Sequence, residues 1–201
     1  MRRAAQALTP LLAEVRACRS CASELPHSPR PLLQASPEAR ILIASQAPGR
    51  KAHESGVPFD DASGERLRRW LDLDRERFYD PRLVAIVPMG FCYPGKGASG
   101  DLPPRAECAP RWRASLLELL PRVELTLVIG SHAASYHLAG ENRSLTEAIL
   151  HWRRHWPAVV PLPHPSPANN RWFAKNRWFE AELVPMLQAR VAEVLRGPRV
   201  R

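Results

Sequence analysis

Apolar positions along the 201-residue chain follow two alternating patterns. Short, nearly unbroken apolar runs occupy Arg40–Ser45 (RILIAS), Leu83–Met89 (LVAIVPM), Glu124–Gly130 (ELTLVIG) and Ala158–Pro163 (AVVPLP). Runs of that length read as buried strands. Between them, apolar residues recur at the helical spacing of three and four. Those stretches are Ala4–Ala17, Ser63–Leu71 behind a capping serine, the segment after Pro110, Ser131–Leu138, and a long closing helix, Trp178–Leu195, bent at Pro185. Strands alternating with helices predict a parallel sheet covered on both faces. The expected architecture is a single-domain, three-layer α/β/α fold over residues 1–201 with a four-stranded, mainly parallel sheet. No internal repeat or linker interrupts it.

In open sheets of this kind ligands bind outside the carboxyl ends of the strands. All the unusual loops fall there: Gln46–Asp61, Gly90–Pro104 and His164–Trp172. They predict one site built from distant segments. The third loop is the oddest, a histidine fenced by Pro163, Pro165 and Pro167 and followed by asparagines, an arginine and a tryptophan.

Charge narrows the partner. Lys and Arg total 29 against 20 Asp and Glu, a formal +9, which favours a polyanion; a merely solvated basic surface is the bland alternative. The first residues carry arginines and leucines but no apolar core of signal-peptide length, and no stretch approaches a membrane span. A soluble cytoplasmic protein is expected. There the four cysteines, Cys18, Cys21, Cys92 and Cys108, are more readily ligands or plain thiols than disulfides.

Three motifs, in order and at strand ends, resemble the uracil-DNA glycosylase superfamily. SQAPGRKAHESGVPFDDASG (Ser45 to Gly64) resembles the first motif of the family-four enzymes without a gap. VIGSHAA resembles the element that follows the third strand. HPSP (His164 to Pro167) resembles the second catalytic motif. The Cys-x-x-Cys pair Cys18/Cys21, with fifteen residues between Cys92 and Cys108, is similar to the iron–sulfur cysteines of families four and five. The resemblance covers most of the chain and implies a four-iron four-sulfur cluster on these thiolates, with zinc or unligated thiols as alternatives.

The resemblance also implies the roles. His164 would donate a hydrogen bond to the base oxygen as negative charge develops there. Gln46 replaces the family-four glutamate and Ala47 the acidic or amide residue of other families; glutamine positions water but takes no proton at neutral pH. Asp61, in DDASG, resembles the aspartate of the family-five Gly-Asp-x-Ser-Gly run, and the resemblance makes it the expected water-activating or cation-stabilising carboxylate, with Asp60 and Glu54 as alternatives. Ala47, Gly49, Phe59 and Phe91 form the expected base-binding set, Phe59 as the stacking ring. Pro88 stands where family four has asparagine, which leaves the choice of base open. Beyond the histidine, Ser166, Asn169, Asn170, Arg171 and Lys175 would contact DNA, and Trp172 or Phe173 would wedge into the gap. Trp178 is expected to pack under the final helix, and Arg50, Lys96 and Arg105 to extend the basic track. The implied protein is a monomeric DNA glycosylase that flips a uracil or related damaged base and hydrolyses its glycosidic bond. The alternatives are a nucleic-acid-binding protein without turnover, or a redox or zinc protein unrelated to DNA.

Overall fold

The four apolar runs lie side by side in the computed structural model, which describes residues 2–98, 100–139 and 144–196. In chain order the first half contains α1 (Arg2–Ala17), β1 (Ile41–Ala44), α2 (Arg50–Ser55), α3 (Ala62–Leu71), α4 (Arg75–Phe78), β2 (Val84–Ile86), and the short β3 (Lys96–Gly97) and β4 (Gly100–Asp101). The second half contains α5 (Cys108–Glu118), β5 (Leu125–Ile129), α6 (Ser131–His137), α7 (Leu145–Leu150), β6 (Val159–Leu162), α8 (Asn170–Lys175) and α9 (Val184–Arg196). The main sheet has the order β2-β1-β5-β6. Every pairing in it is parallel, with Ile41 opposite both Val84 and Leu125, and Thr126 opposite Val159. Both faces are covered, which is why these strands read as continuous apolar runs rather than alternating ones.

The strand period of two divides the side chains between the faces. Ile41, Ile43, Val84, Ile86 and Leu127 pack with Leu67 and Leu71 of α3 and Leu187 and Val191 of α9. Leu42, Ala85 and Val87 pack with Leu8, Leu12 and Val15 of α1 and Trp112 and Leu116 of α5. The result is the expected α/β/α layering. No helix among the described residues is long and apolar enough to cross a membrane.

Two local expectations change. The cap of α3 is Asp61 rather than Ser63: the carboxylate accepts from the Gly64 N–H at 2.9 Å, while Ser63 is buried inside the helix. The bend expected at Pro185 takes the form of a π turn, Phe179–Leu183, immediately before α9. Proline has no N–H to offer the carbonyl one turn back, and a wider turn absorbs the mismatch.

A buried arginine ties α5 to the sheet. Arg113 donates to the carbonyls of Val87 at 2.7 Å and Pro88 at 3.2 Å, and to Nε2 of His137 on α6. Burial lowers Arg113 to about 10. Burial, with Arg113 beside it, lowers His137 to about 4. The unfolded histidine takes up its proton near pH 6.5, the folded one only near 4. This contribution to stability is therefore complete above about pH 6.5 and is lost as the pH falls from there through 4. The denaturation midpoint is expected to drop across that window. His137→Gln, which keeps an acceptor for Arg113, should flatten that part of the decline.

Candidate functional site

From β1 the sheet grows in both directions, to β2 on one side and β5 on the other, so a topological switch lies at the carboxyl end of β1. A cavity of about 540 Å³ opens there, a size suited to a small organic ligand. Gln46, Ala47 and Gly49 border it from the loop after β1, and Phe59 and Asp61 from the turn before α3. Pro88 reaches it after β2; His164, Ser166 and Asn169 reach it after β6. The three unusual loops thus meet. An adjoining cavity of about 250 Å³ shares Gln46 and His164 and extends to Gly130, Ser131 and Trp172.

The histidine is fixed from both sides. The Ser166 N–H donates to His164 Nδ1 at 3.2 Å, and the Asn169 amide donates to the His164 carbonyl at 2.7 Å. A ring nitrogen that accepts carries no proton, so the neutral imidazole bears its proton on Nε2. Burial lowers the pKa of His164, partly offset by the carboxylates of Asp61 and Asp101. The neutral donor form is favoured. Arg66 of α3 secures the loop from beneath, donating to the carbonyls of Pro165 at 3.2 Å and Ser166 at 3.3 Å.

Phe59 sits in a left-handed conformation, φ 58°, which a side chain larger than glycine adopts only under constraint. The Tyr79 hydroxyl donates to the Pro58 carbonyl at 2.9 Å and helps hold the turn. Gly64 is required here, because a Cβ would fall 1.8 Å from the Phe59 carbonyl oxygen. The ring borders the cavity while meeting Phe78 edge-on behind it. Of the three carboxylates weighed from the sequence, only Asp61 borders the cavity. Asp60 is paired with Arg75 at 2.9 Å, and Glu54 with Arg50 at 3.5 Å. Two residues that sequence reasoning passed over also border it: Asp101 and Leu102, from the hairpin of β3 and β4. An acid between a glycine run and Pro103-Pro104 was the available signal for the first.

The sequence model of the Uracil DNA glycosylase superfamily matches residues 33–188, from the approach to β1 into α9. The chain belongs to that superfamily. Membership points to DNA glycosylase chemistry and to DNA as the partner of the basic chain.

Other expected positions depart from the site of this superfamily member. Phe91 is buried, packed with Trp112 and Leu116 under α1 and α5, and does not border the cavity that His164 and Asp61 share. The segment after the histidine is not an extended wedge but the short helix α8. Trp172 and Phe173 pack against the core, Trp172 edge-on to Phe179 and Phe173 edge-on to Trp70. Trp178 packs beside them. The Asn170 side-chain Oδ1 accepts from Arg66 at 2.9 Å, whereas Arg171 and Lys175 are exposed. Arg105 is paired with Glu24 and Glu107 rather than lying along a basic track; Arg50 and Lys51 are exposed at the cavity, and Lys96 is exposed on β3, in register with Asp101.

The four cysteines are unpaired by disulfides and border one cavity of about 50 Å³, closed by apolar Leu25, Pro29 and Trp112. That volume is several times what a single water needs. Among the described residues no three His, Cys, Asp or Glu side chains form a group gathered to hold a metal ion. Burial pushes Cys92 up to about 11 and Cys108 up to about 12, and the neighbouring cysteines add to both. Backbone N–H groups of Arg30 and Phe91 nevertheless point at these sulfurs and favour thiolate. Phe91 therefore serves this second cavity, through its backbone and its packing.

Proposed function

We propose that this protein is a monofunctional DNA glycosylase that extracts a uracil or a closely related damaged base and hydrolyses its glycosidic bond, leaving an abasic site. The observation that carries the reading is His164, whose Nδ1 accepts from the Ser166 N–H and so leaves Nε2 to donate, in one cavity with an aromatic ring and a carboxylate. Breaking the bond between sugar and base places negative charge on the base and positive charge on the sugar. His164 Nε2–H stabilises the first and a carboxylate the second. Phe59 stacks on the extruded base, and the Ala47 and Gly49 backbone lies along its edge. Gln46 orients the base or a water without taking a proton.

A flipped base leaves a gap in the duplex that an apolar side chain fills. Trp172 and Phe173 are committed to the core, but Leu102, 44 % exposed, stands at the rim of the cavity. Leu102 is the wedge in this reading, with Arg171, Lys175, Ser166 and Asn170 along the backbone. Leu102→Ala is expected to slow release from duplex about tenfold and to leave single-stranded substrate nearly unaffected. Equal losses on both substrates would contradict that role.

The four cysteines suit a four-iron four-sulfur cluster. All four cysteines border one cavity with more room than a single water needs, and backbone N–H groups favour the thiolate form of Cys92 and Cys108. Cys18, Cys21, Cys92 and Cys108 would hold it, and its service would be structural, joining the end of α1 to the loop after β2. A zinc site is the second reading of the same donors; metal analysis of anaerobically purified protein separates the two.

The test of the activity is alkaline cleavage of a labelled oligonucleotide carrying one uracil, single-stranded and opposite guanine. A break at the uracil supports the reading. An intact strand with uracil, hypoxanthine and other damaged bases, despite binding, would indicate a protein that recognises DNA without turnover.

A further inference from the structure

The first-motif positions where family four and other families carry an acid or amide hold no carboxylate, since Gln46 and Ala47 occupy them, and Asp61 alone stands at a position resembling a family carboxylate. The cavity nevertheless brings two carboxylates to one point. Asp101 Oδ2 lies 3.4 Å, and Asp61 Oδ2 3.8 Å, from the place a Cβ on Gly49 would take. They arrive from unrelated elements. Asp61 caps α3, and its Oδ1 is already engaged by the Gly64 N–H at 2.9 Å. Asp101 ends the hairpin, in register with Lys96, with the Leu102 N–H donating to the Gly95 carbonyl at 2.8 Å. The buried Tyr93 lies beside it, its pKa raised by burial and then by the Asp101 carboxylate. Both carboxylates also act on His164, which places all three groups in one electrostatic field.

Gly49 itself needs explaining. Its φ of −79° and ψ of 173° suit any residue. A Cβ there would meet its nearest neighbours only at ordinary contact distance. Neither backbone nor packing demands glycine. What a side chain would occupy is the space between the two carboxylates.

We infer that Asp101 is the catalytic base of this site and that it seats the attacking water with Asp61 above Gly49. The inference rests on the glycosylase reading and assigns that reading's proton acceptor. As the bond between C1′ and the base nitrogen breaks, its electron pair leaves with the base, whose oxygen accepts the hydrogen bond from His164 Nε2–H. The water oxygen bonds to C1′, and the water proton passes to an Asp101 carboxylate oxygen. The base anion then takes a proton from solvent, so one water is consumed for one free base and one abasic sugar. Asp61, with one oxygen committed to the helix cap, faces the cationic sugar and holds the water. Asp101 is solvent-exposed, which lets it return its proton to bulk water.

The experiment measures single-turnover base release and equilibrium binding of the same uracil-containing single-stranded oligonucleotide for the wild type, Asp101→Asn, Asp61→Asn and Gly49→Ala. Asp101→Asn should slow release by about 100-fold or more and bind equally or more tightly, because a negative charge facing DNA is gone. Gly49→Ala should slow release with unchanged thermal unfolding. Asp61→Asn should slow release less than Asp101→Asn and leave the melting temperature nearly unchanged, because asparagine keeps the cap oxygen that accepts from the Gly64 N–H. Wild-type rates for Asp101→Asn would overturn the inference and leave the glycosylase intact. No base release by the wild type from any damaged oligonucleotide would overturn both.

Discussion

Replacing His164 with alanine is expected to lower the rate of base release by about 100- to 1,000-fold, the usual loss on removing one donor to a developing oxyanion. DNA binding should weaken little, because the basic groups along the backbone remain. Asparagine at this position keeps a donor but not its place, and should recover only part of the rate. The pH dependence carries a sign. Burial lowers the pKa of His164, so the neutral imidazole persists below the ordinary histidine range. The Ser166 N–H opposes protonation further, since a proton on Nδ1 would set two donors against each other. The acid limb due to this group should therefore lie below pH 6.5, and titration of the His164 ring by NMR should place its midpoint there.

Loss of one cysteine of the four is the second large effect. With the proposed cluster, the wild type should be brown and hold about four irons per chain, and Cys108→Ser should lose both. A group bound only by the folded state contributes on the order of 4 kcal/mol when present at about a thousand times its dissociation constant. Its loss should lower the melting temperature by about 10 °C in a chain of this length. The damage should centre on the segment joining α1 to β1 and the loop after β2, which supply three of the cysteines that border this cavity. Hydrogen exchange comparing the variant with the wild type should show faster exchange there and little change in β5 and β6. A colourless wild type holding about one zinc per chain would replace the cluster by a single ion.

The strands were legible because a sheet covered on both faces demands unbroken apolar runs, and Ile41–Ala44 and Leu125–Ile129 have them. Their carboxyl ends then located the cavity, with His164, Asp61, Phe59 and Gln46 already marked. What escaped was decided by contacts across the fold. Phe91 sits one residue from a cysteine and has nothing local to show that its ring turns to the α1–α5 layer. Trp172 looked free to wedge because its partners, Phe179 above all, belong to a helix that begins later. Asp101 lay in a glycine-rich stretch without periodicity, where a two-residue hairpin aims the carboxylate. Asp61 and Ser63 are both good caps, and the competition between them is settled by backbone geometry.

The central claim is that this cavity releases a base from DNA. Its most direct measurement is mass spectrometry of the free base after incubating the holoprotein with an oligonucleotide containing one deoxyuridine, wild type beside His164→Ala. Free uracil and a matching abasic oligonucleotide are expected from the wild type, with both products sharply reduced in the variant. Bound but intact oligonucleotide, with identical spectra for the two proteins, would contradict it.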